Sequence, residues 1–129
     1  MTDKVYVYVV GRGDRGPSKV GISADPVARL SQLQIGSYWP LPLYIAQPFA
    51  SRTEARLAES LTHRFLSEFR LSEEWFDLSG GDCWGAVQMA IAALLNDPHP
   101  SEAVIEAYST ACVCLLRRSG LGNADGIIG

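Results

Sequence analysis

Four side chains of different chemistry are spaced along the first half of this sequence. Tyr8 is followed eleven positions later by Lys19, Arg29 comes ten positions after Lys19, and Glu59 lies thirty positions further on. A phenol can transfer or orient a proton, ammonium and guanidinium groups bind anionic oxygens, and a carboxylate is a hard ligand for a divalent cation. These residue types could act on an anionic substrate if the fold brought them to one place.

The first two of these residues are predicted to lie on a pair of short strands. Val5–Val10 is a continuous run of β-branched and aromatic residues, which is typical of a buried strand. A turn with two arginines follows, and Ser18–Ser23 is predicted to return beside the first strand as a hairpin. Because side chains alternate along a strand, Tyr6 and Tyr8 share one face.

A helix and a third strand are predicted next. Asp25 followed by Pro26 is typical of a helix N-cap with proline at the first helical position, and the helix is expected to extend to about Ile35. Arg29 then lies in its first turns. Leu41–Phe49 is predicted to be a strand, and the prolines at both of its ends favour a short strand at a sheet edge.

A second helix is predicted to carry the carboxylate. Ser51 with Glu54 three positions later is a capping box, so the helix begins there. Glu59 lies about two turns into this helix, and His63, four positions later, shares a neighbouring face. Both side chains are therefore expected on a flank beside the apolar stripe.

The last third of the sequence is predicted to form a helical pair, with helices at about 82–96 and 101–118 and a stop at Gly120. We therefore expect an α/β (α+β) fold, with a small three-stranded, mostly antiparallel sheet flanked by helices and a C-terminal helical pair. The predicted segments are a domain over residues 1–78, a helical extension over 79–118 and a flexible tail over 119–129.

Composition excludes several classes of protein. Hydrophobic residues make up 47% of the 129, which is enough for a core and too many for a disordered chain. No apolar run approaches the roughly 18 residues that span a bilayer, and the N-terminus lacks a signal-peptide pattern. We expect no membrane association and a cytoplasmic location. The three cysteines include no CxxC pair, which favours buried thiols over a metal site.

The net charge of −3 is unusual for a nucleic-acid binder, but its distribution along the chain is uneven. Up to Leu78 there are nine basic and nine acidic residues, so the whole excess of acid lies beyond that position. A neutral domain can bind DNA if its basic side chains share one face, although strong nonspecific affinity is not expected.

The ordered set of motifs resembles the GIY-YIG nuclease superfamily over about residues 5–78. Two strand-borne triplets, Tyr6-Val7-Tyr8 and Lys19-Val20-Gly21, precede an arginine on the next helix and a glutamate on a later one. The Lys-Val-Gly triplet, the Glu-x-x-x-His pair and the Glu-Trp-Phe sequence are similar to the phage and bacterial branch, whose second triplet begins with lysine.

This resemblance implies a DNA endonuclease that hydrolyses phosphodiester bonds with Mg²⁺ or Mn²⁺. Tyr8 would accept a proton from the attacking water or orient that water, and Lys19 would stabilise a phenolate. Arg29 would bind the phosphate, and Glu59 would be the metal ligand. The predicted catalytic residues are therefore Tyr8, Lys19, Arg29 and Glu59. The predicted substrate-binding residues are Tyr6, Arg12, Arg15 and His63.

Two departures from the family pattern keep alternatives open. Leu33 stands where many members have a histidine, and residues 66–78 contain no asparagine. A degenerate fold that binds DNA without cutting it, or a protein-interaction module, therefore remains as an alternative function. Each residue also has a structural interpretation: Tyr8 could pack in the sheet, Glu59 could be a solvated helix residue, and His63 could be a half-buried histidine with its hydrogen bonds satisfied.

The C-terminal helices are predicted to form a homodimer surface. In the second helix the stripe Val104, Tyr108, Ala111 and Leu115 can cover the domain, while Ile105 and other apolar residues lie off that stripe. A helix that is apolar on several sides has more apolar surface than a short chain can bury, so residues 79–118 are expected to pack against the same segment of a second copy. The alternative is a monomer in which both helices fold back on the sheet.

Overall fold

The computed structural model describes residues 4–38 and 40–128. Within these residues, five strands and four helices follow one another, with one 3₁₀ turn at Ser67–Phe69 before the fourth strand. In chain order these elements are β1 (Val5–Val10), β2 (Ser18–Ser23), α1 (Pro26–Ile35), β3 (Leu43–Phe49), α2 (Arg52–Phe65), β4 (Arg70–Ser72), β5 (Trp75–Phe76), α3 (Gly80–Asn96) and α4 (Glu102–Ile128).

The α+β class is confirmed, but the prediction of three strands is wrong. The sheet has five strands in the order β3-β1-β2-β5-β4, and all of its pairings are antiparallel. The two additional strands are three and two residues long. Strands this short show no readable alternation of polar and apolar residues. The turn between them contains Glu73, whose φ of 41° is rare outside glycine.

The central hairpin and the first two helices form where the local signals predicted them. Asp25 caps α1 by accepting a hydrogen bond from Ala28 N at 3.1 Å, and Ser51 caps α2 by accepting one from Glu54 N at 3.2 Å. β3 begins at Leu43 rather than Leu41 and lies at the edge of the sheet, as its flanking prolines indicated.

One face of the sheet carries the hydrophobic core. Val5, Val7 and Val9 alternate along β1 toward this face, where α2 and α3 cover them. Small side chains let these two helices approach the sheet and each other; the buried ones are Ala55 and Ala58 on α2 and Cys83, Ala86, Ala90 and Ala93 on α3. Tyr8 and Lys19 belong to the opposite face, since Tyr8 pairs with Gly21 and Lys19 with Val10 in the register of β1 and β2.

Helix α4 packs through a different stripe from the predicted one. Ile105 and Cys112 are buried and the ring of Tyr108 stacks on Phe65 at 6.1 Å, whereas Val104 and Leu115 are exposed. The helix end predicted at Gly120 is also wrong, because α4 continues to Ile128. The flexibility of residues 119–129 and the dimer through residues 79–118 stay predictions.

Among the described residues, no helix combines the length and apolar character that crossing a bilayer requires.

Candidate active site

The candidate site forms where the outer edge of β2 loses its neighbouring strand. β5 pairs with β2 only at Ser18 and Lys19, and Glu74 O extends the contact by accepting from Val20 N at 3.1 Å. The next polar group on that edge, Val20 O, accepts a hydrogen bond from His63 Nε2 at 2.9 Å. In the described part of the chain no strand pairs with the outer edge of β2 beyond this point.

His63 therefore replaces a strand at this edge. Its side chain is half-buried, and its ring meets Phe76 edge-on at 5.2 Å. Burial lowers the pKa of His63, and the hydrogen bond to Val20 opposes that effect only in part. The neutral ring with its proton on Nε2 can donate to the carbonyl. This contact anchors α2 against β2, and His63 is absent from the lining of the cleft described next.

A cleft of about 520 Å³ opens beside the free edge of β2. It receives side chains from five elements or loops: Tyr8 from β1, Ile22 from β2, Arg29 from α1, Arg56, Glu59 and Ser60 from α2, and Glu74 from the β4–β5 turn. We call this the first cleft. It brings together three of the four predicted catalytic residues, Tyr8, Arg29 and Glu59.

Tyr8 reaches the first cleft because Gly21 has no side chain. Tyr8 is only 2% exposed, and a Cβ placed on Gly21 would lie 2.6 Å from its hydroxyl oxygen and 2.7 Å from Cζ. The phenol therefore crosses directly over Gly21 on its way to the strand edge. The glycine of the Lys-Val-Gly triplet is needed at this position for space.

Arg29 and Glu59 approach the cleft from opposite helices. Arg29 is exposed near the start of α1, and its Nη1 donates to Gln32 Oε1 at 3.1 Å. Glu59 is half-buried on α2, with Arg56 one turn earlier on the same side. A guanidinium and a carboxylate thus face a shared polar space, as the binding of a phosphate and a cation would require.

Lys19 lies behind the cleft rather than in its lining. Its side chain is buried, and Nζ forms an ion pair with the carboxylate of Glu74, which itself lines the cleft. A buried ammonium needs such a partner, because an unpaired charge away from water is costly. Lys19 therefore influences the cleft through Glu74.

Sequence reasoning missed Glu74 and Arg56 as residues of the cleft. In the sequence, Glu74 stands out only as part of the Glu-Trp-Phe sequence that resembles the phage and bacterial branch. The signal that could have identified it was Lys19, since a lysine within a buried strand requires a nearby carboxylate. Arg56 could have been identified from its spacing of three from Glu59 on a helix.

The charges in the cleft are incompletely balanced at Glu59. Burial, followed by the negative charge of Glu74, raises the pKa of Glu59, while Lys19 and Arg56 lower it by smaller amounts. Glu74 is already paired with Lys19, so the negative charge of Glu59 can be balanced by a further cation. In the described residues no three potential ligands of the His, Cys, Asp or Glu type form a metal-binding group.

This donor set fits Mg²⁺ or Mn²⁺ rather than a metal that proteins enclose with their own ligands. Zn²⁺ sites use three or four protein ligands, and Ca²⁺ takes six to eight oxygens. Mg²⁺ keeps several waters and is typically held by one or two carboxylates together with substrate phosphate oxygens. Glu59, with Glu74 nearby, provides that number in an open polar cleft.

The remaining predicted substrate-binding residues lie elsewhere. Arg12 and Arg15 are in the β1–β2 turn and line a separate, larger cleft, where both are within 4 Å of Asp14 (3.5 and 3.8 Å). Tyr6 pairs in register with Ser23 and lines neither cleft. The structure therefore separates these residues from Tyr8, Arg29 and Glu59.

We predict that Gly21→Ala destabilises the protein by about 1–3 kcal/mol, the usual cost of overpacking, because the new methyl group would overlap the Tyr8 phenol. In a Tyr8→Ala background the same substitution should cost much less. A double-mutant cycle measured by urea unfolding gives the coupling between the two positions. Equal costs in both backgrounds would show that the phenol does not cross Gly21.

We also predict that Glu59→Gln raises the free energy of unfolding at neutral pH without metal, by at most about 1 kcal/mol because solvent screens a half-exposed carboxylate. The amide avoids the burial and repulsion that raise the pKa of Glu59. A raised folded-state pKa means that the carboxylate lowers stability only above its unfolded-state pKa, so the advantage of the variant should vanish at acidic pH.

Urea unfolding in EDTA from acidic to neutral pH measures this difference. Glu54→Gln is the matched control, because Glu54 is exposed in the first turn of the same helix and its charge favours the helix N-terminus. That variant should gain no stability. A wild-type protein more stable than Glu59→Gln at neutral pH would contradict the charge balance described for the cleft.

Comparison with protein-family models matches most of the chain to a known domain family. The family model of the T5orf172 domain, a phage-associated domain in the context of GIY-YIG and HNH-like endonucleases, matches residues 5–94. Comparison with curated proteins and comparison with solved structures give no match. The match includes all five strands, α1, α2 and most of α3. Membership of the GIY-YIG superfamily itself stays a prediction. The chain belongs to the T5orf172 domain family.

Proposed function

We propose that the protein is a divalent-metal-dependent DNA endonuclease that hydrolyses phosphodiester bonds. The observation that carries this proposal is the first cleft, where Tyr8, Arg29 and Glu59 converge from a strand and two helices. These residues are far apart in the sequence, so only the tertiary fold brings them together. The endonuclease context of the T5orf172 domain supports the same class of function.

The three side chains suit the three requirements of phosphodiester hydrolysis. Arg29 binds the phosphate through its planar guanidinium and offsets negative charge that grows toward the transition state. The hydroxyl of Tyr8, held over Gly21, orients the attacking water, and in its phenolate form the same oxygen can accept the water's proton and become the neutral phenol. Glu59 would hold Mg²⁺ or Mn²⁺, which when bound polarises the phosphate and lowers the pKa of a coordinated water.

Lys19 and Glu74 contribute by positioning. The Lys19–Glu74 ion pair fixes one wall of the cleft, and Glu74 places its negative charge close enough to Glu59 to affect its pKa. That charge favours a cation between the two carboxylates. Lys19 also sits on the same face of the sheet as Tyr8, where its positive charge would stabilise a phenolate.

A second candidate function is DNA binding without cleavage. The observation that favours it is the Lys19–Glu74 pair itself, because an ammonium neutralised by a carboxylate has less charge to offer a phenolate. In that case Arg29 and Arg56 would bind a phosphate and no bond would break. Measuring binding and cleavage on the same DNA separates the two candidates.

We predict that the protein converts supercoiled plasmid DNA to nicked or linear forms with Mg²⁺ or Mn²⁺ and not with EDTA. Glu59→Gln should abolish this activity while leaving the fold intact, since its side chain lies on the half-buried flank of α2. Arg29→Lys should lower the rate by at least about 100-fold, because a point charge cannot reproduce the planar guanidinium. Gel electrophoresis of the plasmid over time measures all three proteins.

The matched control is Arg52→Lys, an exposed arginine at the start of α2 that lies outside the first cleft. It should cut at the wild-type rate. Metal-dependent cutting that persists in Glu59→Gln would remove Glu59 from the reaction. DNA binding by the wild type without any cutting would favour the second candidate.

A further inference from the structure

A second, larger cleft lies beside the first on the β4–β5 side of the sheet. It has a volume of about 910 Å³ and is bounded by the β1–β2 turn, the segment that follows α1, and the β4–β5 hairpin. A volume of this size lies in the range of small-molecule sites. None of the residues assigned to the reaction lines it.

The lining of this second cleft combines apolar walls with positive charge. Prolines and leucines form much of the wall, and Trp75 provides an aromatic surface from β5. Among the described lining residues, the only charged ones are Arg12 and Arg15. A ligand that matches this lining has a flat apolar body and an attached anion, which is the chemistry of a nucleobase with its phosphate.

The charges of the two arginines are available to such a ligand. Both interact with Asp14 at 3.5 and 3.8 Å, but all three side chains are at least 60% exposed. Ion pairs this exposed contribute little and are screened by salt. A phosphate that brings its own negative charge can therefore compete with Asp14 for either guanidinium.

The two clefts are close enough to share one strand of nucleic acid. Glu74 lines the first cleft and Trp75, its neighbour in the chain, lines the second. On α1, Arg29 belongs to the first cleft and Gln34 to the second. Five helical residues span about 7.5 Å, which is short enough for neighbouring nucleotides of one strand to reach both clefts.

We propose that the second cleft binds an unpaired nucleobase of the strand whose phosphate occupies the first cleft, with Trp75 as the stacking surface and Arg12 and Arg15 at the flanking phosphates. This proposal rests on the proposed function, because it takes the strand to be DNA. A base that is paired and stacked in a duplex cannot enter such a cleft. The protein therefore prefers single-stranded or splayed DNA to an intact duplex.

Binding of a short single-stranded DNA oligonucleotide to the Glu59→Gln protein in EDTA tests this site without cleavage. An abasic position is moved along the oligonucleotide, and 2-aminopurine replaces each base in a parallel series. At one position the abasic change should weaken binding by about 5- to 150-fold, the usual effect of losing one base–aromatic stack. 2-Aminopurine at that position should be quenched on binding.

Two variants assign the effect to the second cleft. Trp75→Leu should remove the abasic penalty, and Leu71→Glu should do the same by placing a negative charge in the cleft at a side chain that is 58% exposed. Leu71→Glu covers the case in which Trp75→Leu fails to fold. Leu95→Glu is the matched control on α3, where the leucine is 83% exposed and outside both clefts, and it should keep the full penalty.

The outcomes separate this proposal from the endonuclease proposal. An abasic series with no position-dependent penalty, or a penalty unchanged in Leu71→Glu, overturns the base-binding site whatever the plasmid assay shows. A position-dependent penalty that Leu71→Glu abolishes supports the site even if plasmid DNA is never cut, and in that case only the endonuclease proposal fails.

Discussion

The free outer edge of β2 is the constraint on which the candidate site depends. A strand edge presents backbone N–H and C=O groups that need partners or solvent. Because β5 has only two residues, its pairing with β2 ends at Lys19, and Glu74 O and His63 Nε2 satisfy the polar groups of Val20. Beyond Val20 the edge opens, and side chains from both faces of the sheet can meet around it. A longer β5 would fill the space that the first cleft occupies.

Charge distribution follows from the same geometry. Lys19 pairs with Trp75, the first residue of β5, so its buried ammonium can form an ion pair with Glu74 in the adjacent turn. Glu59 comes from α2, which His63 anchors at this edge, and it lacks a cation of its own strong enough to offset burial and the charge of Glu74. Carboxylates whose pKa is raised by burial and by a like charge are common at functional sites. Their negative charge lowers the stability of the free protein, and a bound cation would remove that destabilisation.

Much of the fold and part of the candidate site could be predicted from local sequence signals. β1 is a run of β-branched and aromatic residues, β2 follows it after a glycine-rich turn, and Asp25 and Ser51 are N-caps whose hydrogen bonds form as expected. β4 and β5 could not be predicted, because β5 is held in the sheet by pairing with β2, which is distant in sequence, and β4 pairs with β5. Glu74 was missed for the same reason. The separation of Arg12 and Arg15 from Tyr8 depends on how the β1–β2 turn packs against residues 78–80, where Gly80 N donates to Arg12 O at 2.6 Å. The spacing of residues in the sequence does not determine that packing.

We propose that a divalent cation binds at the free edge of β2 through Glu59. Amide NMR during a Mn²⁺ titration tests it most directly, since a paramagnetic ion broadens the signals of the nearest residues. A cation at Glu59 should broaden early the signals of Gly21, Ser60 and Glu74, which surround the first cleft, and this pattern should be lost in Glu59→Gln. Broadening centred on Asp14 in the β1–β2 turn, or a pattern unchanged by Glu59→Gln, would contradict it.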